Sequence, residues 1–142
     1  MLHMISITKT TKKQIKEFDN KEWHGVDVQH FGKTVKWVEK NFIYKATDNG
    51  KIVGTIRLKY ETGVVYIETI IVAAEKRGQG IGKLLIVKAE KFAKKEKAHK
   101  LFLTTGKDWE ARKFYESLGF EKVADLPNHH FHKDFVIYSK FV

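Results

Sequence analysis

A mixed α+β fold, built on a largely antiparallel sheet with one parallel crossover near its middle, is predicted by three features of this chain. The stretches "NFIYKAT" and "KIVGTIRLKYE", joined by the turn "DNG", read as a hairpin over residues 41–61. Next, "VVYIETIIVA" at 64–73 is apolar on both alternating faces, as a central covered strand requires, and it leads through a glycine-spaced stretch into a long helix and a further strand. Finally, "FEKVADL" and "DFVIYSKFV" close the chain as two strands around "PNHHFHK".

Taken in order, "ISIT" at 5–8 alternates and is expected as a short strand. "TKKQIKEFDNKEW" carries Ile15 and Phe18 at helical spacing behind Thr11, a residue type whose hydroxyl caps helix N-termini. From His24 to Lys40 the periodicity weakens, and the segment is expected as a second, irregular helix holding His24, His30, Phe31, Trp37 and Val38. In the long helix, Ile81, Leu84, Leu85, Ala89, Phe92 and Ala93 form a stripe, with Lys83, Lys91, Lys94, Lys95 and Lys97 mostly off it. "KLFLTT" at 100–105 reads as a strand. In "DWEARKFYESLGF", Ala111, Phe114, Tyr115 and Leu118 recur at i, i+3, i+4 and i+7, and Gly119 ends the helix. No repeat, linker or low-complexity stretch interrupts the pattern, so residues 1–142 are expected to form one domain.

Composition narrows the function classes. Hydrophobic residues make up 42% of the chain, enough for a core, and no cysteine is present, which excludes disulfides and thiolate metal sites and suits a reducing cytoplasm. The opening residues hold too short an apolar stretch for a signal peptide and nothing approaches a membrane span, so a cytoplasmic protein without a membrane partner is expected. The net charge of +10 favours anionic partners. Only Arg57, Arg77 and Arg112 are arginine, against 24 lysines, whereas base-reading proteins lean on arginine's planar fork. Nucleic acid is therefore not the expected partner.

"EKRGQGIGKLL" at 75–85 sets Gly78, Gly80 and Gly82 on alternate positions at the start of the long helix. Lys83 stands where a dinucleotide fingerprint requires a third glycine, and the spacing from Gly78 to Gly82 is one residue short for a Walker A loop. What remains is a strand ending where a helix begins. The free N–H groups of such a turn bind an anion, and missing side chains let the anion reach the backbone. A tight turn without a ligand is the alternative.

These residues carry a resemblance. Arg77, Gly80 and Gly82 match an Arg/Gln-x-x-Gly-x-Gly/Ala loop directly after a central apolar strand. Ala111, Phe114, Tyr115, Leu118, Gly119 and Phe120 match a later helix reading Ala-x-x-Phe-Tyr and then Leu-Gly-Phe. On both motifs, in order and with a strand between them, residues 42–142 resemble the GCN5-related N-acetyltransferase (GNAT) family. The resemblance implies a six- to seven-stranded, mostly antiparallel sheet flanked by helices and splayed at its central strands. It implies acetyl coenzyme A as cosubstrate and no metal. Loop amides from Arg77 to Gly82, Gly78 included, would cradle the pyrophosphate, with charge from Lys76, Arg77 and Lys83. Main-chain groups of Ile70 and Val72 would pair with the pantetheine arm. At 108 the family often has an asparagine contacting the cofactor; Asp108 stands there, either in that role or as the cap of the following helix.

Acyl transfer to an amine needs a neutral amine, a polarised carbonyl and a hydrogen bond or proton for the departing thiolate. The resemblance gives the last role to Tyr115, although its place on the apolar stripe also suits a core tyrosine. Glu68 is expected on the strand face of Tyr66, Ile70 and Val72, the only charge in a strand suited to burial. Some family members use a glutamate here to deprotonate the amine, directly or through water. The alternative is a structural ion pair with Arg57 or a neighbouring lysine.

His130 and His132 lie two apart, with His129 beside them, but no third metal ligand is identifiable. A wall of the substrate site or an exposed loop is the expectation there. His24 and His30, with Trp23, Phe31 and Trp37, fall where the family walls its acceptor pocket. The function expected is transfer of acetyl from acetyl coenzyme A to a primary amine of a small molecule. Acetylation of a protein N-terminus or lysine, and a coenzyme A-binding module without catalysis, are the alternatives. Homodimers are frequent in the family.

Overall fold

The computed structural model describes residues 4–142, and Met1–His3 lie outside the described residues. The chain divides into two compact units, Met1–Lys36 and Trp37–Val142. Among its described residues the first contains one helix, α1 (Lys12–Phe31). Thr11 caps it as expected, its hydroxyl accepting from the Gln14 amide at 3.3 Å. The helix continues unbroken through residues 24–31 of the segment expected as a second, irregular helix and stops at Gly32, whose φ of +71° only glycine adopts cheaply and whose N–H meets the Val28 carbonyl at 2.9 Å. Beyond it residues 33–38 are not helical and Glu39 and Lys40 belong to a strand, which corrects that expectation. Residues 5–8 join no sheet; Ile5 and Ile7 are exposed, and two apolar side chains offer too little surface to hold a strand.

The second unit is a six-stranded sheet in the order β1-β2-β3-β4-β6-β5. Its strands are β1 (Glu39–Asp48), β2 (Lys51–Glu61), β3 (Val64–Val72), β4 (Lys100–Gly106), β5 (Glu121–Leu126) and β6 (Phe135–Phe141). Asn49–Gly50 and Thr62–Gly63 make the first two hairpin turns, every φ positive, the backbone that matches the twist of the flanking strands. All neighbouring pairs are antiparallel except β3 with β4, which are joined through α2 (Ile81–Lys95). The fold class expected from the sequence is the one observed, with six strands.

One core holds this unit together. Leu85, Ile86, Ala89, Phe92 and Ala93 of α2 meet Ile56 and Leu58 of β2, Val65 and Ile67 of β3, and Leu101 and Leu103 of β4. Val136 and Tyr138 of β6 and Tyr115 of α3 (Ala111–Ser117) complete the same cluster, so α2 and α3 lie on one face of the sheet. Seven residues make a helix too short to stand alone. Gly119 (φ +88°) closes it as expected: Phe120 and Gly119 donate back to the Tyr115 and Glu116 carbonyls, both at 3.1 Å.

Candidate functional site

Three backbone devices meet at the carboxyl end of β3. The first is a bulge. Arg57 pairs with Thr69 and Leu58 with Ile67, which leaves Glu68 as the extra residue of β3. The bulge reverses the side-chain alternation. Val65 and Ile67 before it, and Ile70 and Val72 after it, all pack toward the core under the helices. Tyr66 belongs to the other face, where its ring stacks on Phe102 at 4.8 Å. The expectation that Glu68 shares a buried face with Tyr66, Ile70 and Val72 is therefore corrected. Glu68 is exposed at the bulge, and among the described residues it forms no ion pair with Arg57 or a lysine.

The second device is a gap. β3 and β4 pair only at Val64–Lys100, Val65–Leu101 and Tyr66–Phe102, then diverge. The Ala73 amide donates to the Val53 carbonyl at 2.8 Å, which makes Val72 and Gly54 a non-hydrogen-bonded pair of the antiparallel ladder. The main-chain groups of Val72 and, two residues earlier, Ile70 therefore point away from β2 and into the gap. Arg77 Nε donates to the Val72 carbonyl there at 3.1 Å.

The third device is the glycine turn. Gly78 and Gly80 have φ of +77° and +84°, and a Cβ at either would meet nothing within 4 Å. Backbone conformation alone requires glycine at these two positions. Gly80 caps α2, its carbonyl accepting from Leu84 N at 3.1 Å. The amides of Ile81, Gly82 and Lys83 have no earlier carbonyl to meet, and they carry the positive end of the helix dipole. Gly82 is glycine for another reason. A Cβ there would lie 3.1 Å from the tip of the Phe114 ring, so its absence lets α3 close against α2.

A cavity of about 590 Å³ joins these devices, lined by Ile70, Val72, Arg77, Gly78, Gly80, Gly82 and Lys83, with Tyr115 of α3 on its wall. Lys76 reaches it too, paired with Asp48 at 3.2 Å. Tyr115 is only 7% exposed, its ring edge-on to Phe114 and Phe120 at 5.2 and 5.8 Å. Its hydroxyl forms no hydrogen bond to any described residue. Burial pushes the phenol above the ordinary tyrosine value, so it keeps its proton at neutral pH and can donate it in a hydrogen bond.

A family model described as the acetyltransferase (GNAT) domain matches residues 7–138. The chain belongs to the GNAT acetyltransferase family. No curated protein shows significant sequence similarity to it. Among solved structures, an acetyltransferase from Bacillus cereus is 19% identical, with 99% of this chain and 100% of that one covered and a TM-score of 0.71. A GNAT acetyltransferase from Elizabethkingia anophelis, with acetyl coenzyme A bound, is 22% identical over 72% of this chain and 76% of that one, with a TM-score of 0.67. A Bacillus anthracis protein assigned as a streptothricin acetyltransferase, also in complex with acetyl coenzyme A, is 28% identical over 72% of this chain and 62% of that one, with a TM-score of 0.67.

Of the residues expected to serve the cofactor or the chemistry, Asp108 and Glu68 do not join the GNAT cavity, and His129, His130 and His132, expected as a wall of the substrate site or an exposed loop, are exposed and do not line it either. Asp108 is exposed in the turn after β4 and does not line it. Nor does Asp108 cap α3: the cap position is Glu110, without a side-chain hydrogen bond. Glu68 is likewise absent from the lining. Conversely, Glu110 and Phe114 line the cavity and were not singled out for it; Phe114 was visible as motif, but only its packing against Gly82 gives it a wall to form. Among the described residues no group of three His, Cys, Asp or Glu side chains is arranged to hold a metal, His129, His130 and His132 included. No helix among them is long and apolar enough to cross a membrane.

Proposed function

We propose that this GNAT acetyltransferase transfers the acetyl group of acetyl coenzyme A to a primary amine of a small molecule by direct attack, residues 1–142 acting as one cytoplasmic catalytic domain. One observation carries the reading. The residues bearing the unpartnered amides at the start of α2, those of the unpaired edge of β3 and Tyr115 all line the same cavity. The residues fit the donor: an amide cluster with Lys83 beside it suits a diphosphate, and a bare strand edge suits an amide-bearing arm. When bound, acetyl coenzyme A supplies a thioester carbonyl open to attack by an amine.

The chain's own groups have three tasks. The amides of Gly80–Lys83 hold the anionic part, and Ile70 and Val72 orient the arm along the gap. Arg77 must exchange its hold on the Val72 carbonyl for the ligand. Tyr115 donates a hydrogen bond to the departing sulfur. A thiol loses its proton near pH 8.5, and a phenol raised above 10 gives its proton up harder still, an uphill gap of at least about 2 kcal/mol. Tyr115 therefore stabilises the thiolate by hydrogen bonding, with proton transfer late or partial. Glu68, exposed at the bulge, takes the amine proton through water. The streptothricin acetyltransferase likeness supports a small-molecule acceptor. The test is a panel of small amines and of peptides assayed with acetyl coenzyme A for free thiol. Amine-dependent release from small amines is expected; release with peptides alone, or none at all, overturns the proposal.

A further inference from the structure

The geometry points to Tyr138, Arg112 and Glu116 as positioning residues that set where the Tyr115 hydroxyl stands, an inference that rests on the role proposed for Tyr115. Tyr138 is fully buried in β6, yet its hydroxyl is used twice. It donates to Glu116 Oε1 at 2.5 Å and accepts from Arg112 Nε at 2.9 Å. Arg112 and Glu116 lie four residues apart on α3 and so share one face. The same guanidinium donates through a second nitrogen to the Lys107 carbonyl at 2.8 Å, tying the helix to the turn after β4. The Tyr138 and Tyr115 rings are 6.4 Å apart.

A two-turn helix with no side-chain cap cannot hold its own orientation. Apolar contacts at Tyr115 and Phe114 resist pulling the helix off the sheet, but they are poor at resisting its roll. The Tyr138 oxygen, gripped from two successive turns, resists roll directly. The lever is long: a tyrosine hydroxyl stands roughly 9 Å from its helix axis, so a roll of about 10° carries it about 1.5 Å. Displacements of that size at a reacting centre lower rates by one to two orders of magnitude.

The test is a double-mutant cycle in kcat with whichever amine gives the fastest thiol release. Tyr138→Phe keeps the ring and removes the oxygen. It should lower kcat about tenfold while leaving the calorimetric Kd for acetyl coenzyme A within about twofold. In a Tyr115→Phe background the same change should have no further effect. Glu116→Gln, which keeps an acceptor for the Tyr138 hydroxyl, should retain most of the rate that Glu116→Leu loses. Hydrogen exchange supplies a readout independent of turnover, with residues 111–118 exchanging faster in Tyr138→Phe and β4 unchanged. Equal losses of kcat in both backgrounds, or unchanged exchange in α3, would overturn the positioning role alone. Full activity in Tyr115→Phe would overturn that role together with the function assigned to Tyr115.

Discussion

Replacing Gly80 by alanine separates two consequences of one added methyl group. The residue sits at φ +84°, ψ +5°, left-handed backbone that costs an L residue roughly 1–2 kcal/mol. A Cβ there meets nothing within 4 Å, so no clash adds to this strain. For a chain of this length the melting temperature should fall by about 3–8 °C. The new methyl group also stands in the cavity where the α2 amides are exposed. Holding an anion away from even one or two of those amides should cost about 1.5–3 kcal/mol, a 10- to 150-fold rise in Kd. Gly32→Ala is the control. Its φ is +71° with equally open space, so it should lose similar stability while binding acetyl coenzyme A as before. Scanning calorimetry and isothermal titration on the two variants settle the matter. If Gly80→Ala binds as tightly as the parent, or Gly32→Ala weakens binding equally, the assignment of this turn to anion binding is wrong.

Two further outcomes follow from the side chains. Tyr115→Phe should lower kcat by about 10²-fold or more with little change in acetyl coenzyme A affinity, as loss of one donor to a developing anion does elsewhere; stopped-flow thiol release reads this. Because burial raises the Tyr115 phenol in the folded state, the native chain holds its proton more tightly than the unfolded chain. Stability should therefore be unaffected by this group below pH 10 and fall as pH rises beyond it, a dependence that urea titrations from pH 9 to 11 should find reduced in Tyr115→Phe. Glu68→Gln removes an exposed charge that no described residue pairs with, so the melting temperature should stay within about 2 °C. Its kcat against pH should nevertheless fall; an unchanged profile would remove Glu68 from the mechanism.

Features decided by neighbours in the chain were legible in the sequence. The Asn49–Gly50 turn, the Thr11 cap, the α2 stripe and the Gly119 stop each depend on a handful of consecutive residues, and each stands where the pattern put it. Glu68 shows the limit. Its exposure follows from a bulge, and a bulge is a mismatch of register between β3 and β2 that no single strand records. An alternation read straight through residue 68 assigns the wrong face to every residue beyond or before it. Asp108 looked like a cap because its residue type caps helices, but the chain makes one more turn before α3 starts. In α1, a weak apolar pattern concealed a regular helix because Gly25 and the scattered aromatics obscure its period, while the true stop lay in Gly32.

The narrow contact between β3 and β4 makes the sheet two three-stranded ribbons stitched by three rungs. Along the rest of that seam the missing partner is a strand's worth of hydrogen bonds, and a ligand arm laid against Ile70 and Val72 would supply them from outside the polypeptide. The donor would then act as a removable seventh strand. Its departure after each turnover would leave the two ribbons joined by the three rungs and the core beneath them, so a gap that admits the donor would also set how loosely the two halves of the sheet are coupled between cycles.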